Sequence, residues 1–417
     1  VNPIPYILPF FLTFSSGRQW QPFVKEAGNY PKHISLNTHA ELNGQNINSE
    51  FLYAVGQGNF LSEDLKTSLL PNNNTKHELG FEWNTDFSFL NLEDSLFGSP
   101  NWGYYISANQ RFIGNGNLTN DALGLLLNGN GKYRGQELNV SGSSVDFLSF
   151  QKINVGFIKT WHPKKEKGWH TQFGFAIGLV NGNLHRNLTI ESGKLFTEVT
   201  GDFIKFSDMN IQYLSSTSDE NRWLYPNGTG ASSQIMIEMG NHKHLFSFSI
   251  NDLGFIQWND RSENINLGGT FIWEGLPIPP LSNLTDTFVD EFIDSLKSEY
   301  SFTNSRNDYV RPLPFHLRIG YVFNAIHYSV IGQIDWLPTL QTIPRFTCGI
   351  TTNRWSSFQP GLSIGYGGWS RFHYGFDLSF LIKKSWILSL QSRQISGWVP
   401  NRIDSGWQAG IRLSKSF

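Results

Sequence analysis

Apolar and polar residues alternate one by one through much of the chain, most clearly at its end. In Gly406–Phe417, Trp407, Ala409, Ile411, Leu413 and Phe417 share one parity, and Gln408, Gly410, Arg412, Ser414 and Ser416 share the other. Successive side chains of a strand point to opposite faces, so this spacing predicts a strand with an apolar and a polar face. Chain ends of ordinary domains fray. A strand reaching an aromatic last residue fits a closed sheet in lipid, where every backbone group has to be satisfied internally.

The same code recurs upstream. His33–Leu42 alternates, and in Glu78–Leu90 the residues Leu79, Phe81, Trp83, Phe87 and Phe89 oppose Gly80, Glu82, Asn84, Asp86 and Ser88. Trp102–Phe112, Ser144–Trp161, Trp169–Val180, Gln234–Met239, His244–Asn251 and Ile265–Trp273 follow, the last with Ile265, Leu267, Phe271 and Trp273 outward. From Pro314 nearly all is strand, and Phe372, Tyr374, Phe376, Leu378 and Phe380 form the cleanest face. Gly114–Gly142 is rich in Gly and Asn and predicts a long loop. Asn181–Ala231 offers one strand, Phe203–Tyr213. One helix is predicted, in the loop at about 280–300, where Phe288, Phe292, Leu296 and Tyr300 recur every four residues. Its apolar stripe is a candidate for docking a partner.

Alternation with bulky aromatics on one face and Gly, Ser, Asn, Arg and Asp on the other predicts an all-β fold. Specifically, it predicts a closed antiparallel transmembrane β-barrel of about 14–16 strands. Residues 33–417 form that barrel, and residues 1–32 an N-terminal arm or plug. The apolar run Ile4–Phe14 has no basic start or clear cleavage site and reads as retained mature sequence. Counting back from Phe417 puts both termini in the periplasm and places Ile395–Ser405 and Gly275–Pro312 outside the cell.

Composition agrees. Aromatic residues are 15% of 417 and charged residues 16%, against roughly 25% charged in a soluble domain. The net charge of −2 gives no basic surplus for nucleic acid. Cys348 is the only cysteine, which excludes disulfides and cysteine metal sites. No run of about 18 apolar residues predicts a transmembrane helix. No metal-ligand spacing, nucleophile elbow or P-loop occurs, so neither a cofactor nor an enzyme is expected. A hydrolase would need a Ser/His pair within hydrogen-bond reach near the membrane boundary. The polar set that invites attention is lumen-facing: Arg318, Arg345, Arg393 and Arg412 with Asp335 and Asp377. It implies either a salt-bridged lumen or a pore lining.

Three blocks carry a resemblance: Phe60-Leu61-Ser62-Glu63-Asp64-Leu65, Asp252-Leu253-Gly254-Phe255-Ile256-Gln257-Trp258, and Leu313-Pro314-Phe315 leading into Ile319-Gly320-Tyr321. With them the chain resembles a conserved, largely uncharacterised outer-membrane protein family of Bacteroidota. More distantly it is similar to FadL-type barrels, which include fatty-acid transporters and the barrel subunits of the type IX secretion system. The resemblance implies an outer-membrane barrel serving as a subunit of a multi-protein envelope machine, for barrel assembly or type IX secretion. Its partners would be other envelope proteins and outer-membrane lipid. The alternative is a FadL-like transport barrel for hydrophobic or small polar solutes. Ile411, Leu413 and Phe417 resemble the C-terminal signal by which barrel-assembly machinery takes up its substrates, with Lys415 where such signals carry an apolar residue. Deleting Phe417 is expected to lower the amount of protein inserted in the outer membrane, measured by membrane fractionation; an unchanged level would contradict this reading.

Overall fold

The computed structural model describes residues 32–417 apart from 71–75, 93–94, 97–98, 162–167, 217–225, 242, 275–302, 341, 353, 356, 384 and 399–405. The predicted helix with Phe288, Phe292, Leu296 and Tyr300, and the arm 1–31, lie outside the described residues.

The wall is a closed ring of 14 antiparallel strands. In chain order these are β1 Lys32–Gln45, β2 Lys76–Asn91, β3 Trp102–Thr119, β4 Ser143–Trp161 and β5 His170–Thr197. Then come β6 Gly228–Gly240, β7 His244–Trp258, β8 His316–Asn324, β9 Tyr328–Trp336 and β10 Ile343–Thr352. The ring ends with β11 Phe358–Gly368, β12 Ser370–Lys383, β13 Trp386–Gln394 and β14 Gly406–Ser416. Each strand pairs with the next, and β14 pairs with β1 from His33↔Ser416 to Asn43↔Gly406. Phe417 completes the seam: its N–H donates to the Lys32 carbonyl at 2.9 Å, and the Lys32 N–H donates back at 3.1 Å. Among the described strands the ring is closed, as a lipid setting requires.

The outward parity is the predicted one. Ile177, Leu179, Leu362, Phe372 and Ile411 are exposed on the wall, while His39, Glu41, Glu82, Asn84 and Asp86 on the opposite parity are buried. Extensive exposed apolar surface on a folded chain marks a face that meets lipid or a partner. Lys415 is half-buried on that face, its ammonium 5.4 Å from the ring centroids of both Trp386 and Phe417. Such a cation over aromatic faces is favourable and accounts for a charge at this position.

The two ends differ. At the end where Lys32 meets Phe417, β6–β7, β8–β9 and β12–β13 follow one another after short connections. The long connections lie at the far end. β13 ends at Gln394 and β14 begins at Gly406 at that far end, while β4 ends at Trp161 and β5 begins at His170 at the opposite one.

Several sequence expectations are corrected here. Gly114–Gly142 is not one long loop. β3 runs on to Thr119, paired with β2, and a helix α3 Asn120–Asn128 follows. β5 is 28 residues long, and its second half rises past the ring. There it pairs with Ile204–Ser216, which pairs in turn with Glu263–Trp273. Leu267, Phe271 and Trp273 therefore do not face lipid. They are buried against Leu138, Leu195, Phe206 and Met209 in a small core of their own. Period-two patterning reports a strand with one apolar face but not what covers that face, so the upper figure of the predicted 14–16 counts two strands that pair outside the ring of 14. Ile326, where the alternation predicts a strand running to Trp336 to begin, also lies in a turn before β9.

The polar stretch after β1 folds into two short helices, α1 Ser49–Gly56 and α2 Glu63–Leu69. Asn48 caps the first by accepting from Phe51 N–H at 2.9 Å, and Ser62 caps the second by accepting from Leu65 N–H at 3.3 Å. Phe51, Leu65 and Leu69 pack against Leu123 and Leu127 of α3. Hydrogen bonds from Lys66 and Lys132 hold the Glu63 carboxyl below the usual carboxylate range.

The closing seam is directly testable. In a Cys348→Ser background, Ala40→Cys and Ala409→Cys would sit directly opposite each other. They are expected to form an intramolecular disulfide under mild oxidant, seen as a mobility change on heat-denatured, non-reducing gels. Absence of the crosslink in folded protein would contradict this register.

Candidate functional site: a braced lumen and a cleft at its rim

Inside the ring, charged residues reach one another across the lumen. Arg345 of β10 holds Glu41 of β1 through both guanidinium nitrogens, one of them at 3.1 Å from Oε2. Arg111 of β3 donates from Nε to Glu82 of β2 at 3.1 Å and from Nη1 to Asp252 of β7 at 2.9 Å. Lys152 of β4 also pairs with Asp252. Arg318 Nε lies 2.7 Å from Asp335 Oδ1, His316 Nε2 lies 3.2 Å from the same oxygen, and Arg393 Nη1 lies 3.6 Å from Oδ2. Buried charges are tolerated when paired in this way, and removing one partner strands the other.

Three residues of the predicted polar set share a single rung. Arg318 is opposite Asp335, and Asp335 is opposite Arg345. Arg393 reaches the same carboxylate from β13. Arg412 is buried on β14 opposite Asn37 and Ser389. Asp377 is half-buried on β12 opposite Gln391 and Gly361. Neither is brought onto the rung. Sequence reasoning did not nominate Glu41, Glu82, Arg111, Lys152 or Asp252. Their signal was available as charge on the inward parity of otherwise clean strands.

The Asp252 and Leu313-Pro314 blocks meet here. Asp252 adopts φ +60°, a left-handed conformation that Asp tolerates better than most residues. At this point β7 changes neighbour. His244–Asn251 pair with β8, whereas Phe255–Trp258 pair with the short strand Tyr309–Pro312. Between these two pieces Leu313 turns inward, its N–H donating to the Gly254 carbonyl at 2.9 Å. Arg111 donates to the Pro314 carbonyl at 3.0 Å as well as to Asp252. One guanidinium thus ties together both sides of an interrupted wall.

Above the charged layer the inward faces turn apolar, which the alternation did not predict. Ile113, Phe150, Val180, Ile256, Trp258 and Leu313 form one buried cluster with Leu340 and Trp369. Trp369 follows Gly367 and Gly368, both at positive φ. Its Nε1–H reaches across to Asn115 Oδ1 at 3.0 Å. Its ring lies so close to Gly80 that a Cβ there would sit 1.9 Å from Cδ2, so only glycine fits at that point of β2.

A narrow cleft, with room inside for about 20 Å³, lies beside this plug. Glu41, Glu82, His316, Asp335 and Arg345 line its inner side. Trp336, Leu337, Thr342, Ile343 and Trp369 complete it, and Trp336 and Ile343 are exposed at the wall. The cleft therefore has a charged floor and an apolar mouth, at the place where β9 and β10 stop pairing after Asp335↔Arg345. The Trp336 Nε1–H donates to the Thr342 carbonyl at 2.8 Å and fixes the rim.

The described residues include a Ser/His contact. His33 Nδ1 lies 2.8 Å from Ser416 Oγ. The two residues are an inward cross-strand pair of the closing seam, away from the cleft, and they read as part of that seam. Among the described residues no group of His, Cys, Asp and Glu could hold a metal ion.

A model for a family of unknown function (DUF5723) matches residues 27–385. No curated protein matches. Among solved structures, the chain is similar to a TodX monoaromatic hydrocarbon channel lacking S2 and S3, at 9% identity and TM-score 0.47, covering 93% of this chain and 90% of that one. It is similar to the Ralstonia pickettii toluene transporter TbuX at 10% identity and TM-score 0.43, with the same coverages. It is also similar to a Pseudomonas aeruginosa FadL homologue at 8% identity and TM-score 0.38, covering 94% and 92%. The family description names no source and no activity.

Replacing Arg111 by Ala leaves Glu82 and Asp252 short of a cation and releases Pro314. A loss of about 3–5 kcal/mol of stability is expected, read by urea unfolding in lipid vesicles. Arg111→Lys should fall between Ala and wild type, because it keeps the charge and loses the fork.

Proposed function

The chain belongs to the family of unknown function DUF5723, and we propose that it is an outer-membrane transport barrel. In this reading it passes small apolar or amphipathic solutes through the cleft at the β9–β10 rim. The observation that carries the reading is the cleft itself. It joins a buried charged floor to an apolar mouth at the lipid-facing wall, while ion pairs and the Trp369 plug cross the axis of the barrel. The protein is read as non-enzymatic, with both termini periplasmic, because the short turns lie at their end and the long connections at the other.

A role as a subunit of an envelope machine finds less support. The helix that motivated it lies outside the described residues, and the Bacteroidota and type IX likeness remains a resemblance of short blocks. The polar set is proposed to brace the lumen: Arg318, Arg345, Arg393 and Asp335 act as one unit, and Arg412 and Asp377 line neighbouring inward faces. Ile411, Leu413 and Phe417 are proposed as the assembly signal.

The test is binding of an apolar fluorescent probe, N-phenylnaphthylamine, to protein in detergent and then its uptake into proteoliposomes. Saturable binding is expected. Thr342→Trp, which fills the mouth, should weaken binding by about tenfold, or 1.4 kcal/mol, and slow uptake alike. Unchanged binding and uptake in that variant would overturn the cleft as the route.

A further inference from the structure

The charges on the floor of the cleft hold one another. Arg345 takes Glu41, Arg111 takes Glu82, and Asp335 accepts from Arg318 and Gln333. His316 lines the same floor and is different. It opens β8, two residues after Pro314, and is fixed in register opposite Asn251. It is 2% exposed. Its Nε2 lies 3.2 Å from Asp335 Oδ1. Its Nδ1 is buried and has no hydrogen-bond partner among the described residues.

A carboxylate beside Nε2 assigns the ring proton to that nitrogen, which leaves Nδ1 as an acceptor. A buried acceptor without a donor is costly. A group that displaces water without reproducing its hydrogen bonds loses affinity, so a methyl at this point is disfavoured and a hydroxyl is not. Size points the same way. The inner room of about 20 Å³ is little more than the roughly 10–15 Å³ that admits one water. A hydroxyl oxygen fits there, and an aromatic ring does not. The ring of a solute would stay at the apolar mouth, against Trp336, Ile343 and Trp369. Charged heads are disfavoured: a carboxylate would meet Glu41, Glu82 and Asp335, and an ammonium would meet Arg345.

We propose that the cleft selects neutral solutes with one hydroxyl group on a small apolar body, such as phenols, and that His316 Nδ1 accepts the hydroxyl proton. This inference rests on the cleft as the place where the solute binds. His316 is then the residue that sets specificity: Trp336, Ile343 and Trp369 accept any small apolar body, and His316 asks for a donor at its inner end.

Displacement of N-phenylnaphthylamine from the full chain in detergent tests this. The competitors are para-cresol and para-xylene, which differ by a hydroxyl in place of a methyl. After correction for partition into the micelle, wild type is expected to prefer para-cresol by about tenfold. His316→Leu should bring the two competitors together, and a preference left intact in that variant would overturn the role of His316. Thr342→Trp should weaken both competitors alike. Equal displacement by the two in wild type, with Thr342→Trp still weakening both, would overturn the hydroxyl preference and leave the cleft as the route. Displacement by neither, or no effect of Thr342→Trp, would overturn the cleft as the route and this inference with it. If His316→Leu does not fold, 4-methylanisole decides in wild type. It keeps the oxygen but lacks the proton and should bind like para-xylene; binding like para-cresol would overturn Nδ1 as the acceptor.

Discussion

A peptide group facing hydrocarbon has no water to bond, and that constraint organises this protein. Each wall strand has to find a partner on both sides, and the ring has to close. The seam between β1 and β14 is therefore the contact on which all others depend. It runs eleven residues in register and ends in two backbone hydrogen bonds between Lys32 and Phe417. Once the ring is closed, the inward faces enclose a volume of their own, and what fills it becomes the second question.

The filling is in two layers with different physics. The charged layer is directional: Arg345 reaches Glu41, and Arg111 reaches Glu82, Asp252 and the Pro314 carbonyl. Such contacts specify which strands face each other across the barrel. The apolar layer around Trp258 and Trp369 is not directional and seals by packing. The cleft lies where the layers meet, so it has a polar side and an apolar side without any dedicated loop. Breaking the layers at one rim, where β9 and β10 part, exposes both chemistries to the wall.

The wall was legible in sequence because lipid imposes one demand on every strand. Phe81, Phe87, Ile177 and Phe372 had to be apolar whatever their neighbours were, so parity alone revealed them. The interior obeys no such uniform demand. Arg318, Asp335 and Arg345 could be seen to face inward, but only register puts them on one rung. Glu41 and Arg345 lie 304 positions apart, and no local pattern connects them. Leu267, Phe271 and Trp273 misled for the complementary reason: an apolar face buried by a neighbouring segment has the same period as one buried in lipid. The caps Asn48 and Ser62 were readable in principle, but the helices they start span eight and seven residues, too short for a clear helical period.

The seam also has a kinetic side. The hydrogen bond between His33 and Ser416 joins positions 383 residues apart, which is close to the longest separation this chain allows. Loop-closure entropy has to be met before such a contact gives anything back, and topologies dominated by distant pairings fold slowly. Until the last residue arrives, β1 and β14 each present a bare strand edge, the kind of surface on which chains aggregate. A nascent chain of this design therefore has two edges to keep covered until the seam between β1 and β14 forms.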